Sequence, residues 1–248
     1  NYSNGSSDNH HPGVEYITGS TNNIALYFHD DVKFDYIFHF GEYARVEQSF
    51  DDYEDVMDYN YHSFPKVLDF AKKAGAKFIY SGSSTKFSVG EVGKIQSPYA
   101  YTKAQNTELL TAYAKWNDMP HAIVYFYNVY GRNHIKTGKM ATVIGIYEDA
   151  MEKGLPIPVI GDGQQMRDFT HIDDIVEGLY NIFTQEQYED VGEYHLGTRV
   201  NHKIIDIANT FGNVKNILKA KGERTSSVMP VHNSPKWWKT SIKIDEYI

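Results

Sequence analysis

Ser97-Pro98-Tyr99-Ala100-Tyr101-Thr102-Lys103 reads as the opening of a helix. Proline suits a helix's first turn, where its missing N–H has no intrahelical partner to lose, and a serine before it is a strong N-cap type. Ala104, Leu109, Leu110 and Tyr113 continue the pattern at helical spacing. Tyr99 and Lys103 stand four residues apart, so they share one face, a turn from each other. An ammonium beside a phenol favours the phenolate. A phenolate is the base that oxidation of a sugar or alcohol requires, taking the hydroxyl proton while hydride leaves the same carbon. Taken alone, the pair serves equally well as an ordinary amphipathic helix surface. Its neighbours decide.

Upstream of this helix, Phe78-Ile79-Tyr80 is a buried-strand run that leads into Ser81-Gly82-Ser83-Ser84. Downstream, Ala122 to Tyr127 is another strand. Further out, Asp35 to Phe40 is an apolar run of the same buried type, ending at Gly41, and Asp51 to Ala74 reads as helix with Pro65 as a local disturbance. Val14 to Thr18 alternates like a short strand and stops at Gly19. Strands separated by helices of this length imply parallel βαβ units, whose ligands sit beyond the carboxyl ends of the strands. Gly41, Ser83 and Asn128 each fall at such an end, and together they predict one crevice.

The second half differs. Thr142 to Lys153 is helical, Pro156 to Ile160 extended, and Gly161-Asp162-Gly163 a turn before Arg167-Asp168-Phe169. Asp173 to Phe183 is helical, Glu193 to Leu196 a weaker strand, and Lys215 to Ile248 basic and irregular with Trp237-Trp238 as its anchor. The length of 248 residues suits one large α/β domain or a domain with a small lobe. A net charge of −8 argues against a nucleic-acid surface, and the lack of cysteine excludes disulfides and thiolate chemistry. No apolar run has the length of a membrane span, and no signal-peptide pattern opens the chain. His10-His11 lies in a polar loop and the other histidines lack ligand spacing, so no metal site is expected. The default is a cytoplasmic enzyme.

Five blocks together resemble the extended short-chain dehydrogenase/reductase family, in particular its nucleotide-sugar epimerases such as UDP-glucose 4-epimerase. They are Phe38-His39-Phe40-Gly41 through Val46 and Ser49, Phe78 to Ser84, Ser97-Pro98-Tyr99 to Lys103, Asn128-Val129-Tyr130-Gly131, and Gly161-Asp162-Gly163-Gln164 through Arg167-Asp168-Phe169 to His171 and Asp173-Asp174. They cover nearly the whole chain in the family's order. The resemblance implies an α/β fold, with a Rossmann-type parallel sheet holding NAD over residues 1–132. It also implies a smaller α/β lobe for the nucleotide-sugar over residues 133–248, some segments of which return to the sheet. By position, Tyr99 is the base, Lys103 holds the nicotinamide ribose and lowers the tyrosine pKa, and Ser83 bonds the reacting sugar oxygen. Asn1, Ser20, Phe40, Gly41, Glu42, Ser81 and Tyr127 fall at cofactor positions, and Asn60 at a supporting one. Asn128, Ile160, Arg167 and Glu223 fall at nucleotide-sugar positions. Arginine's forked donors suit a diphosphate, although a surface ion pair of Arg167 with Asp168 is the plainer alternative. A UDP-sugar substrate and a homodimer, built through the Tyr99 helix and the one before it, complete the expectation.

Several positions depart from the family pattern. The chain contains no Gly-rich phosphate loop, and Asn1-Tyr2-Ser3-Asn4-Gly5 resembles the segment after the family's second strand. The first βαβ unit is therefore expected to be missing, and the chain to be a piece of a longer protein. Ser20 stands at an Asp position, Ala44 at a lysine position, and Ala220 at a phosphate-binding arginine position, leaving Lys219, Lys221 or Arg224 as substitutes. Family dehydratases carry an Asp-Glu pair after the catalytic serine or threonine, and decarboxylases a nearby Glu. Here Ser84 and Thr85 follow Ser83, and neither titrates near neutral pH. Reversible oxidation at one carbon, an epimerisation most directly at C4, is the expected reaction. A dehydratase or reductase of the same family, or a non-catalytic NAD(P)-binding sensor, is the alternative.

Overall fold

The computed structural model describes residues 2, 5–87, 93–184, 191–218, 226–227, 235 and 237–248. The first half runs β1 (Tyr36–His39), α1 (Tyr53–Val56), α2 (Phe64–Ala74), β2 (Lys77–Gly82), α3 (Pro98–Asn117) and β3 (His121–Phe126). The second half runs β4 (Val129–Tyr130), α4 (Val143–Glu152), β5 (Ile157–Ile160), β6 (Met166–Asp168), β7 (Thr170–His171), α5 (Ile172–Thr184) and β8 (Val191–Leu196). It ends with β9 (Asn201–Lys203), α6 (Ile204–Phe211), β10 (Val214–Ile217), β11 (Ser226–Ser227) and α7 (Ile244–Tyr247). The main sheet is parallel in the order β1-β2-β3-β8, so a strand from the second half closes a sheet built by the first.

Strand alternation divides the core. Phe78 and Tyr80 of β2, with Ile123 and Tyr125 of β3, meet Phe64, Val67 and Leu68 of α2 and Leu110 and Ala114 of α3. Ile79, Ala122, Val124 and Leu196 point the other way, onto Ile175 and Ile182 of α5 and onto Trp238. Helices on both faces explain why β2 and β3 read as continuous apolar runs. β1 departs from that reading: Tyr36 and Phe38 are 41% and 43% exposed, so its outer face lies open. A third cluster holds the second lobe, where α4 and α6 pack on β5 through Ile144, Tyr147, Ile157, Val159, Ile207 and Phe211.

The start of α3 forms as its sequence dictates, with Ser97 Oγ accepting from the Ala100 N–H at 3.1 Å and Pro98 in the first turn. Two other segments differ from expectation. Residues 14–18 form no strand, because a strand needs a neighbour's backbone and no described residue offers one. Tyr16 instead stacks on His10 at 3.5 Å, and its hydroxyl accepts from the His11 N–H. The segment 51–74 is not one helix: α1 runs into a π-helical turn, Met57–His62, before α2 restarts with Pro65 in its first turn. At the far end Trp238 is the anchor, its Nε1–H donating to the Asp174 carbonyl at 3.0 Å, while Trp237 stays more than a third exposed.

Phe64 is fully buried against Phe78 and Tyr80 at the centre of the α2 face. Phe64→Ala should cost about 3–5 kcal/mol of unfolding free energy. Urea denaturation checks this, and a change below about 1 kcal/mol would contradict the layer assignment.

Candidate active site

The carboxyl ends of β1, β2 and β3 bring Phe40-Gly41-Glu42, Ser81-Gly82-Ser83 and Tyr127-Asn128 to one end of the sheet, and the first turns of α3 add Tyr99 and Lys103. Gly82 lets this happen, since a Cβ there would come within 2.3 Å of the Tyr125 ring. Lys103 is buried, and its ammonium donates to Glu42 Oε2, to the Ser81 carbonyl and, at 3.4 Å, to Ser81 Oγ. It also lies 4.2 Å above the Tyr80 ring. Glu42 accepts further bonds from Asn106 Nδ2 at 2.9 Å and from the Tyr80 hydroxyl at 3.0 Å, and His39 Nε2 lies 3.4 Å away. Burial by itself would raise the Glu42 pKa, but Lys103 and His39 outweigh it and hold the carboxyl down at about 2. The sequence placed Glu42 among cofactor-lining residues; the structure makes its side chain the buried counterion of Lys103.

Asn60 explains the π-turn. Its Oδ1 accepts from the Tyr43 N–H at 2.7 Å, and its Nδ2 donates to the Tyr43 carbonyl and to Thr102 Oγ1. Its own carbonyl accepts from Asn106 Nδ2 at 2.8 Å. The extra residue of a π-turn turns this side chain inward, where it ties the loop after β1 to α3.

Ser83 is buried, and its Oγ accepts from both the N–H and the hydroxyl of Thr85, at 3.3 and 3.0 Å. Its own hydrogen is therefore the one left to donate outward. Tyr99 is half-buried on the neighbouring turn. For NAD, the nicotinamide side fits: Phe40 is exposed with its ring edge-on to Phe126 at 5.5 Å, and space above Gly41 is open, since a Cβ there would meet nothing within 4 Å. Tyr127 contributes differently from expectation, because its side chain is fully buried with its hydroxyl 2.7 Å from His195 Nδ1, which leaves only its main chain to face a ligand. On the adenosine side, Ser20 caps a short helical turn by accepting from the Asn22 N–H, while Asn1 lies outside the described residues.

A cleft of 640 Å³ opens between the loop after β1 and the second lobe, lined by Arg45, Asn128, Ile160, Gln165 and Arg167 among others. Asn128 takes a positive φ of 33° and its Nδ2 donates to the Asp168 carbonyl at 2.7 Å, so it joins the sheet's end to β6. The Asp168 carboxylate accepts from the N–H and hydroxyl of Thr198 and from the Arg199 N–H, which makes it a brace for the loop before β9. Burial nevertheless raises its pKa. Arg167 lines the cleft, donating to the Met166 carbonyl at 2.9 Å. Glu223, with the proposed substitutes Lys219, Lys221 and Arg224, lies outside the described residues. Arg45, which the sequence reading did not single out, lines the same cleft and donates to the carbonyls of Ala44 and Met140.

Ser83, Tyr99 and Lys103 thus lie at one end of the parallel sheet, with an arginine-lined cleft near it. The chain belongs to the NAD dependent epimerase/dehydratase family, whose model matches residues 3–197. It is 27% identical over 189 residues to a probable UDP-glucuronate 4-epimerase of Rhizobium meliloti, covering 71% of this chain and 54% of that protein. It is 25% identical over 239 residues to a trifunctional UDP-glucose 4,6-dehydratase/3,5-epimerase/reductase of Arabidopsis thaliana, covering 90% of this chain and 34% of that one. The chain thus spans about half or less of the curated relatives it matches. In fold it is similar to the NAD complex of Thermus thermophilus UDP-glucose 4-epimerase, with a TM-score of 0.80 and 19% identity over 99% of this chain and 86% of that one. The epimerase Mth375 of Methanothermobacter thermautotrophicus gives a TM-score of 0.87 at 21% identity, covering 99% of this chain and 80% of that one.

The buried pair has a measurable signature. The folded Glu42 pKa of about 2 lies below its ordinary 4.5, so its stabilisation is complete above about pH 4.5 and is lost as pH falls through 2. The swing is about 3 kcal/mol. The difference in urea stability between the native protein and Glu42→Gln should therefore be largest near neutrality and shrink over that window. A difference independent of pH would contradict the ion pair.

Proposed function

We propose that the full-length protein epimerises a nucleotide-sugar at C4, with NAD as its cofactor. The observation that carries this reading is the arrangement at the end of β2. Ser83 presents a donor hydrogen at the end of β2, Tyr99 lies in the first turn of α3, and the two residues that follow Ser83 are the non-titrating Ser84 and Thr85. The nearby carboxylate, Glu42, is held ionised by Lys103 and cannot serve as the extra acid that elimination of water needs. NAD, when bound, would supply a reversible acceptor for the hydride of the reacting carbon. Ser83 would donate to the C4 oxygen, and Tyr99 would take the hydroxyl proton and return it to that oxygen after the ketose has turned its other face to the hydride. Lys103 would hold the nicotinamide ribose, a ribose hydroxyl replacing its long 3.4 Å bond to Ser81 Oγ.

Arg167 and Asn128 face the diphosphate from the second lobe and the sheet end, and Ile160 packs beside the nucleotide. UDP is the nucleotide favoured by the names of the relatives. No helix among the described residues is long and apolar enough to cross a membrane. We place the protein in the cytoplasm as a homodimer joined through α2 and α3, whose exposed Trp116 would be covered there.

Tyr99→Phe should reduce turnover by at least a thousandfold while leaving UDP-sugar binding within a few-fold, measured by NMR of the products and by calorimetry. Accumulation of a 4-keto-6-deoxy sugar or a pentose, or full activity in Tyr99→Phe, would contradict the reading. Arg167→Ala should weaken UDP-sugar binding by about 1.5–3 kcal/mol and leave NAD binding unchanged. Equal weakening of both ligands would count against the diphosphate role.

A further inference from the structure

The family resemblance gives Lys103 the task of making Tyr99 a phenolate, and that task needs an ammonium whose charge reaches the phenol. The bonds of Lys103 go elsewhere. Its donors meet Glu42 Oε2, the Ser81 carbonyl and, at 3.4 Å, Ser81 Oγ, and its ammonium lies 4.2 Å from the centre of the Tyr80 ring. No hydrogen bond among the described residues joins it to Tyr99. The Lys103 and Glu42 side chains are 4% and 2% exposed, so water screens neither charge well and each is the other's main source of screening. Glu42 is ionised near neutrality, being held down at about 2, and its oxygens also accept from Asn106 and from the Tyr80 hydroxyl.

We propose that Glu42 is a positioning residue that acts through Lys103: it cancels the ammonium's charge at Tyr99, so that Lys103 orders the strand ends without activating the base. The inference rests on the reading of Tyr99 as the base and names what controls it. Helical spacing sets the Cβ atoms of Tyr99 and Lys103 about 5–6 Å apart, close enough for an uncompensated ammonium to govern the phenol. A carboxylate bonded to that ammonium turns the single charge into a dipole, whose effect falls off far more steeply with distance. The charge that makes Tyr99 a base must then enter with the ligands, so the phenolate forms only in a loaded site. Other groups also face the pair or the phenol. His39 at the end of β1 lies 3.4 Å from Glu42, the Tyr80 hydroxyl of β2 donates to Glu42, and Arg45 on the loop after β1 feels a charge on Tyr99. Glu42→Gln changes none of these, and Lys103 keeps its bond to the Ser81 carbonyl and its place over the Tyr80 ring, so the ammonium stays where it is.

NMR titration of the ligand-free full-length protein, isotope-labelled at its tyrosine Cζ atoms, tests this, with the Tyr99 signal identified by its loss in Tyr99→Phe. Glu42→Gln should lower the Tyr99 titration midpoint by at least about one pH unit relative to the native protein. Glu42→Asp keeps a carboxylate and should lower it by less. Combining Glu42→Gln with Lys103→Met removes both charges and should leave the midpoint within about half a pH unit of the native one. The double variant also answers for a single variant that fails to fold, because neutral replacement of a buried pair strands no charge. An unchanged midpoint in folded Glu42→Gln would overturn the proposal. A double-variant midpoint about one pH unit or more above the native one would do the same, since the ammonium would then have been acting on Tyr99 throughout. The titration uses neither substrate nor turnover. A protein that isomerises no UDP-sugar defeats the epimerase reading and leaves Glu42 its role, whereas an active epimerase with an unchanged midpoint in Glu42→Gln does the reverse.

Discussion

The ion pair between Glu42 and Lys103 is the constraint on which the site depends. It joins the end of β1 to the second turn of α3 and reaches β2 through the Ser81 carbonyl and the Tyr80 hydroxyl. Removing two charges from water costs several kcal/mol per ion, and only good geometry with further hydrogen bonds recovers it. Both requirements are met, since Asn106, Tyr80 and His39 surround the carboxylate and Ser81 takes the remaining ammonium donors. Breaking one partner would strand the other, so the pair fixes where three elements end and thereby where Ser83 and Tyr99 stand.

The same pair sets the electrostatics. Glu42 cancels much of the field of Lys103, whereas the neighbouring cleft is lined by Arg45 and Arg167 together with Lys139 and Glu47. It also leaves Lys103 sealed below the strand ends, while Arg45 and Arg167 line the open cleft.

Much of this was legible in the sequence where local chemistry and long-range packing agree. Ser97 and Pro98 set the start of α3 by rules that hold for any helix, and β2 and β3 are apolar on both faces because helices cover both. The family's blocks located Ser83, Tyr99 and Arg167, which are brought to one end of the sheet and its adjoining cleft. Local pattern failed where the partner decides the outcome. Residues 14–18 alternate like a strand but have no strand to pair with among the described residues, and β1 reads as buried although its outer face is open. The π-turn at 57–62 follows from the demand of Asn60 for Tyr43 and Thr102, which no local spacing encodes. Likewise, no local pattern encodes the pairing of Glu42 with Lys103, sixty-one residues away.

The central claim is that oxidation and reduction occur at a single sugar carbon. Its most direct test is the fate of a deuterium placed at C4 of UDP-glucuronate and of UDP-glucose, followed by NMR in ordinary water with the full-length protein. Epimerisation predicts a product of inverted configuration that keeps the label at C4 with no exchange into solvent. Migration of the label to C6, or its loss to water, would contradict the account.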